Sequence, residues 1–167
     1  MDTRTSGQAH SFSIRRASSC DYDHLGEIMF EAVRDGTPQY TLAQRRAWVP
    51  KPRSGRDWHD RLNSQIAFVA ESESCMLGFM TLANDYVDFA YIRPAAQGSG
   101  MFRALYNEIE ALAFQNDLTR LWTHASLTAQ PAFSAVGFLT RAKESVLIGD
   151  VPLERFEMEK LLVNRTA

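Results

Sequence analysis

Two short stretches of this sequence combine residue type and spacing in a way that suits chemistry. The first is Asp88, a carboxylate inside the otherwise apolar and aromatic run V-D-F-A-Y-I. Two-residue alternation places it on one strand face with Tyr86 and Ala90. A carboxylate held there can take a proton from an incoming amine. It can equally be a solvated group at an exposed strand end. The second stretch is Gln97-Gly98-Ser99-Gly100. It follows Pro94, which ends the strand by removing a ladder donor, and precedes a helical pattern carried by Met101, Leu105, Ile109 and Leu112. Strand, glycine turn and helix together aim free backbone N–H groups at an anion, and the helix dipole adds partial positive charge. The turn is neither G-x-G-x-x-G nor a Walker loop, so a turn that binds nothing has the same local pattern.

The elements that would position these groups can be followed along the chain. Phe12 to Arg16 alternates as a first strand. Ser18 and Ser19 can cap a helix whose apolar stripe is Tyr22, Leu25, Ile28, Met29, Ala32 and Val33, with Gly36-Thr37-Pro38 ending it. Short helices are expected from about Leu42 to Trp48 and from Asp57 to Leu62, with a basic, proline-bearing loop between them. Gln65 to Glu71 is a continuous apolar run suited to a central strand. Cys75 to Leu82 is its hairpin partner, where Gly78 marks a bulge or a close backbone approach. After the strand and helix described above, Leu121 to Ala125 makes a fifth strand and Ala129 to Val136 a short helix. Phe138-Leu139 begins a sixth strand, and Val146 to Ile148 with Leu153 to Met158 closes the chain as a hairpin. That order predicts an α/β (α+β) domain, a mixed central sheet of about seven strands flanked by helices.

Bulk properties narrow the class. A chain of 167 residues suits one domain, expected over residues 12–162 between a flexible tail at 1–11 and a short tail at 163–167. The formal charge of −2 argues against a binder of nucleic-acid backbones. No apolar run reaches bilayer-spanning length, and the polar first eleven residues hold no hydrophobic signal core, so no membrane partner is expected. Cys20 and Cys75 stand far apart without a partner motif, as free thiols of a reducing compartment do, which makes the cytoplasm the expected location. Oligomeric state is left open, a homodimer included. No His/Cys cluster has metal-ligand spacing.

Ile92-x-Pro94-x-x-Gln97-Gly98-x-Gly100, with an amphipathic helix after it, resembles the acetyl-CoA signature of the GNAT N-acetyltransferases, Gln/Arg-x-x-Gly-x-Gly/Ala. Ala125-Ser126, Ala129-x-Pro131-x-Phe133 and Gly137-Phe138 are similar to that family's fifth strand, following helix and closing Gly-Phe. The resemblance runs from Phe12 to Leu161. Phe102 departs from it, standing where Gly or Ala is usual and altering how the helix packs near the pyrophosphate.

The resemblance implies a sheet splayed between its fourth and fifth strands, with acetyl-CoA as co-substrate and no metal. The acetyl group would pass directly to an amine of a small molecule or peptide in a ternary complex. Two alternatives stay open: a catalytically weak or inactive CoA-binding regulatory domain, and a protein N-terminal or lysine acetyltransferase. Backbone groups of Tyr91 and Ile92 would hold the pantetheine, and the amides of Gln97, Gly98, Ser99, Gly100, Met101 and Phe102 the pyrophosphate. Asp88 would accept the amine proton, with Tyr86 beside it contacting substrate. The family often has a proton-donating tyrosine where this chain has Phe133. Phe133 would press on the pantetheine or the neighbouring strand, and Ser126 or Ser134 would relay a proton through water unless it is a capping or surface hydroxyl. Tyr40, Trp48 and Trp58 would shape the acceptor pocket, the other reading of the tryptophans being that they cover the sheet. His124 shares a strand face with Trp122 and Ser126 and reads as structural.

Overall fold

A computed structural model describes residues 11–163. The tails expected at 1–11 and 163–167 lie outside that span except for Ser11 and Val163. In chain order the elements are β1 (Ser13–Arg16), α1 (Tyr22–Gly36), α2 (Leu42–Trp48), α3 (Gly55–Asn63), β2 (Ile66–Glu71), β3 (Met76–Ala83), β4 (Tyr86–Ile92), α4 (Met101–Gln115), β5 (Arg120–Ser126), α5 (Gln130–Ala135), β6 (Leu139–Ile148) and β7 (Val151–Leu161). The seven strands form one sheet in the order β1-β2-β3-β4-β5-β7-β6. All pairs are antiparallel except β4–β5, which is parallel.

Each face of the sheet buries its own core. On one side α1 and α3 set Leu25, Ile28, Val33, Trp58 and Leu62 against Val69, Phe79 and Phe89. On the other, α4 and α5 set Leu105, Tyr106, Ile109 and Phe133 against Met80, Val87, Leu121, Ala125 and Met158. The helical periodicity of Met101, Leu105 and Ile109 is thus the buried stripe of α4.

Three details differ from the sequence expectations. The entry to α1 is held by Asp21 and not by a serine hydroxyl. Its carboxylate accepts from the Ser18 amide at 2.8 Å and from Arg15 at 2.8 and 3.0 Å. Arg15, the first of its partners, keeps that carboxyl below the usual range. The end of the chain is two long strands, since β6 runs on unbroken from Leu139 through Lys143-Glu144 to Ile148. As an edge strand it is wet on both faces, which erases the apolar alternation that marks other strands.

The third difference bears on the site. Along β3–β4 the pairing passes from Met80↔Ala90 to Leu82↔Val87, so β4 carries an extra residue at Asp88-Phe89. The bulge reverses the alternation: Val87, Ala90 and Ile92 pack with the α4 core, while Phe89 and Tyr91 pack with the α1–α3 core. Ala90 therefore does not share a face with Tyr86 and Asp88. Two buried threonines satisfy the backbone at this irregularity. Thr81 Oγ1 accepts from the Phe89 amide at 3.0 Å, and Thr123 donates to the Val87 carbonyl at 2.8 Å.

Candidate active site

β4 and β5 pair only at Tyr86↔Trp122 and Val87↔Thr123. Beyond them the strands diverge, and the β4 edge from Asp88 to Ile92 that faces β5 is left without a partner strand. An unpaired strand edge is a row of free N–H and C=O groups onto which an extended, amide-bearing chain can add. The next turn completes this half of the site. Gly98 and Gly100 have φ of 76° and 82°, in the left-handed region, and Gly100 is the N-cap of α4. A Cβ on either glycine would meet nothing within 4 Å, so backbone conformation and not crowding demands glycine. The first-turn amides of α4 have no intrahelical acceptor and point outward from its positive end. The Gln97 side chain turns back toward the Ile92 carbonyl at 3.4 Å.

A cavity of about 360 Å³ occupies the splay. Ala32 and Gly36 of α1 and Trp48 of α2 line it from one helical layer; Met101, Phe102 and Arg103 of α4 with Ala132 of α5 line it from the other. Ala90, Tyr91 and Ile92 supply its β4 wall and Ser126 its β5 wall. The cavity thus passes through the sheet, so two molecules entering from opposite faces can meet in it.

On the α1–α3 face the splay begins in a cluster of polar side chains. Asp88 is held by Arg61 through two bonds of 3.1 and 2.9 Å, and its Oδ2 also accepts from Gln65 at 2.6 Å. The Arg61 guanidinium covers the Phe89 ring at 4.6 Å. Across from Asp88, the Tyr86 hydroxyl lies 2.8 Å from His124 Nδ1. His124 Nε2 lies 3.3 Å from Glu144 Oε1, which is 2.5 Å from Arg155 Nε. Burial, and next the Arg155 charge, hold the His124 ring below the ordinary imidazole range, although Glu144 and Glu157 pull the other way. Burial, and next Asp88, push the Tyr86 phenol up.

Residues 36–159 match the profile of the acetyltransferase (GNAT) domain. The chain belongs to the GNAT acetyltransferases. An Escherichia coli relative called uncharacterized N-acetyltransferase YafP is 27% identical over 138 residues, 82% of this chain and 87% of its own length. Among solved structures, a GCN5-related N-acetyltransferase from Rhodopseudomonas palustris superposes with a TM-score of 0.84 at 24% identity, covering 90% of this chain and 95% of that one. PaiA N-acetyltransferase from Thermoplasma acidophilum, solved with coenzyme A, gives 0.70 at 20% identity, covering 91% and 99%. Such similarities at low identity speak for the fold.

Within this GNAT fold the expected site residues separate into two groups. Tyr91, Ile92, Gln97, Gly98, Gly100, Met101, Phe102, Ser126 and Trp48 come together around the cavity. Ser99 supports the turn instead, its hydroxyl donating to the Ala96 carbonyl at 2.5 Å. Three aromatic expectations need correction. Phe133 is a core residue, 2% exposed, wedged edge-on between Phe102 at 5.0 Å and Phe138 at 5.1 Å. Tyr40 is 3% exposed and its hydroxyl is spent on backbone, donating to Glu154 at 2.6 Å and accepting from Leu127 at 2.9 Å. Trp58 is buried against Phe89 and gives its only donor to the Tyr22 carbonyl at 2.7 Å.

Asp88 accepts three bonds from Arg61 and Gln65, two on Oδ2 and one on Oδ1, so Oδ1 keeps room for one further donor. His124 joins Tyr86 to Glu144 and is not an isolated ring. Sequence reasoning also passed over Arg103, a cation in the first turn of α4 that lines the cavity and donates to Ala135. Its signal was available, because a cation opposes the dipole there unless an anion joins it.

Proposed function

We propose that this chain transfers an acetyl group from acetyl-CoA directly to the amine of a small molecule or peptide, both bound at once. The observation that carries this reading is the cavity through the β4–β5 splay, with an anion-suited glycine turn in its lining and a polar cluster one same-face step of β5 from its Ser126 wall. The family match supports acetyl transfer, and among the similar folds one was solved with coenzyme A and another, YncA from Salmonella typhimurium, with acetyl-CoA. The free β4 edge at Tyr91 and Ile92 takes the pantetheine amides. The amides from Gly98 to Phe102 take the pyrophosphate, with Arg103 neutralising one of its charges. Phe102, edge-on to Phe133, closes the cavity floor beneath them.

The amine enters from the α1–α3 face past Trp48, whose ring stands 6.2 Å from that of Tyr91. Held against the thioester carbon, it needs no covalent enzyme intermediate: the N–C bond forms, the C–S bond breaks and a thiolate leaves. Ser126 faces the cavity, and its hydroxyl oxygen accepts from the Ala129 amide at 3.0 Å, which leaves the O–H free to point at the departing sulfur. Asp88 anchors Arg61 at the rim. The two cysteines are free and exposed, in keeping with a cytoplasmic protein.

The test is to mix purified protein, acetyl-CoA and a panel of amines and peptides, and follow free thiol. Release with at least one acceptor, and intersecting double-reciprocal lines, are the expected results. Tight acetyl-CoA binding without transfer to any acceptor would make the chain a CoA-binding module instead.

A further inference from the structure

Glu144 fixes the arrangement of the polar cluster on the acceptor side. Its Oε1 is 2.5 Å from Arg155 Nε, and an ionised carboxylate only accepts. His124 Nε2 lies within ion-pair distance of it, 3.3 Å, and the negative charge there favours the tautomer with hydrogen on Nε2 over the one with hydrogen on Nδ1. Nδ1 then holds the lone pair, and the 2.8 Å contact is a bond in which the Tyr86 hydroxyl donates to Nδ1. The phenol oxygen also faces the His124 backbone amide and keeps one lone pair for a further donor. This order comes from three residues on three strands, β4, β5 and β6.

The location fits a reacting amine. Tyr86 pairs with Trp122 one level before the last joined pair, Val87 with Thr123, and His124 is the first residue of β5 beyond that pair, on the same face as Trp122. Ser126, in the cavity wall, is one further step along that face, about 7 Å away. A nitrogen attacking a carbonyl near Ser126 therefore lies about one same-face strand step from His124, a gap that water can bridge to the Tyr86 oxygen.

We propose that Tyr86 and His124 form a proton relay for the acetyl transfer, Tyr86 touching the amine and His124 acting through it. The inference rests on the acetyltransferase reading above. After attack the nitrogen is cationic and acidic. It gives one proton to the Tyr86 oxygen as the phenol proton passes to His124 Nδ1, and the imidazolium formed lies beside Glu144. The C–S bond breaks, the thiolate takes a proton from solvent, and His124 later returns its proton to solvent, so the balance is amine plus thioester to amide plus thiol. The ring is neutral near pH 7 because its affinity for protons is lowered by burial and Arg155. The charged groups facing the pair are Asp88 and Arg61 on the Tyr86 side, and Glu144, Arg155 and Glu157 on the His124 side.

The experiment compares wild type, Tyr86→Phe and His124→Gln with the best amine of the panel between about pH 5 and 9. Gln keeps an acceptor for the Tyr86 hydroxyl but takes no proton. Tyr86→Phe is expected to lower kcat about 10²-fold, and His124→Gln at least about tenfold. Wild-type kcat should fall on the acid side with an inflection below the ordinary imidazole value, and His124→Gln should lack that inflection. Both variants should bind CoA as wild type does, which shows that they are folded. A His124→Gln enzyme with wild-type kcat and the same acid inflection overturns the relay while leaving the acetyltransferase reading intact. A wild type that acetylates nothing overturns both. If both variants lose CoA binding as well, NMR titration of the His124 ring in wild type decides: a ring that titrates at or above the ordinary value overturns the relay, and one held below it supports it.

Discussion

The glycine turn and the polar cluster on either side of the β4–β5 splay are built from different materials. The side proposed for the donor is made of backbone: the unpaired edge of β4, two left-handed glycines and the first turn of α4. Apart from the Arg103 cation, side chains there do little beyond allowing the shape. On the acceptor side the backbone is ordinary, and side chains from α3, β4, β5, β6 and β7 converge on one cluster. A cofactor common to a whole family can be gripped by main chain, which tolerates sequence change. An acceptor particular to one member must be recognised by side chains, which are free to diverge.

The largest effect expected from breaking this division is structural. Phe133→Ala should cost about 3–5 kcal/mol in chemical denaturation, the range for emptying a buried aromatic site. Phe133→Leu should keep most of that stability and bind CoA within about twofold of wild type. A folded Phe133→Leu that loses CoA tenfold would return Phe133 to the donor wall.

Gly100→Glu comes next. It places a carboxylate at φ 82° in the turn, adding bulk and repulsion at the site proposed for the pyrophosphate. CoA affinity should fall by at least about 2 kcal/mol, roughly thirtyfold, read by calorimetry.

Arg61→Ala tests the other side. It leaves the Asp88 carboxylate, 10% exposed, with Gln65 alone, and should cost about 1 kcal/mol of stability. Adding Asp88→Asn should recover most of that loss, because the second change removes the stranded charge. No recovery in the double variant would mean that Arg61 acts by covering Phe89.

The smallest effect is a slope with pH. The His124 ring binds protons less readily folded than unfolded, so the unfolded chain takes up more protons as pH falls below about 6.5. This contribution to stability is therefore intact above that pH and is lost as pH drops toward the folded value. His124→Gln should flatten the stability curve in that window and leave it unchanged above.

The same division explains what the sequence reveals. The glycine turn is legible because its requirement is local, four residues between a strand and a helix. The helices and most strands follow from apolar period, and β6 escapes because an edge strand has no dry face. The bulge at Asp88-Phe89 leaves no local mark, since it depends on Thr81 and Thr123 being buried where they can satisfy its backbone. Tyr40, Trp48 and Trp58 look alike in one dimension. Only their hydrogen-bond partners, up to 114 residues away for Tyr40, separate two structural rings from one that faces the cavity. His124 appears isolated because Tyr86 is 38 residues before it, and Glu144 lies in the strand whose pattern is least readable.

The central claim is that donor grip and proton transfer reside in separate groups of residues on the two sides of the β4–β5 splay. The most direct measurement is calorimetric titration of CoA into wild type, Gly100→Glu and Tyr86→Phe, with thiol release measured on the same samples. The account predicts that Gly100→Glu loses CoA affinity about thirtyfold or more. Tyr86→Phe should bind CoA as wild type does but turn over about 10²-fold more slowly. Equal CoA affinity in Gly100→Glu and wild type, or a Tyr86→Phe enzyme at full speed, would contradict it.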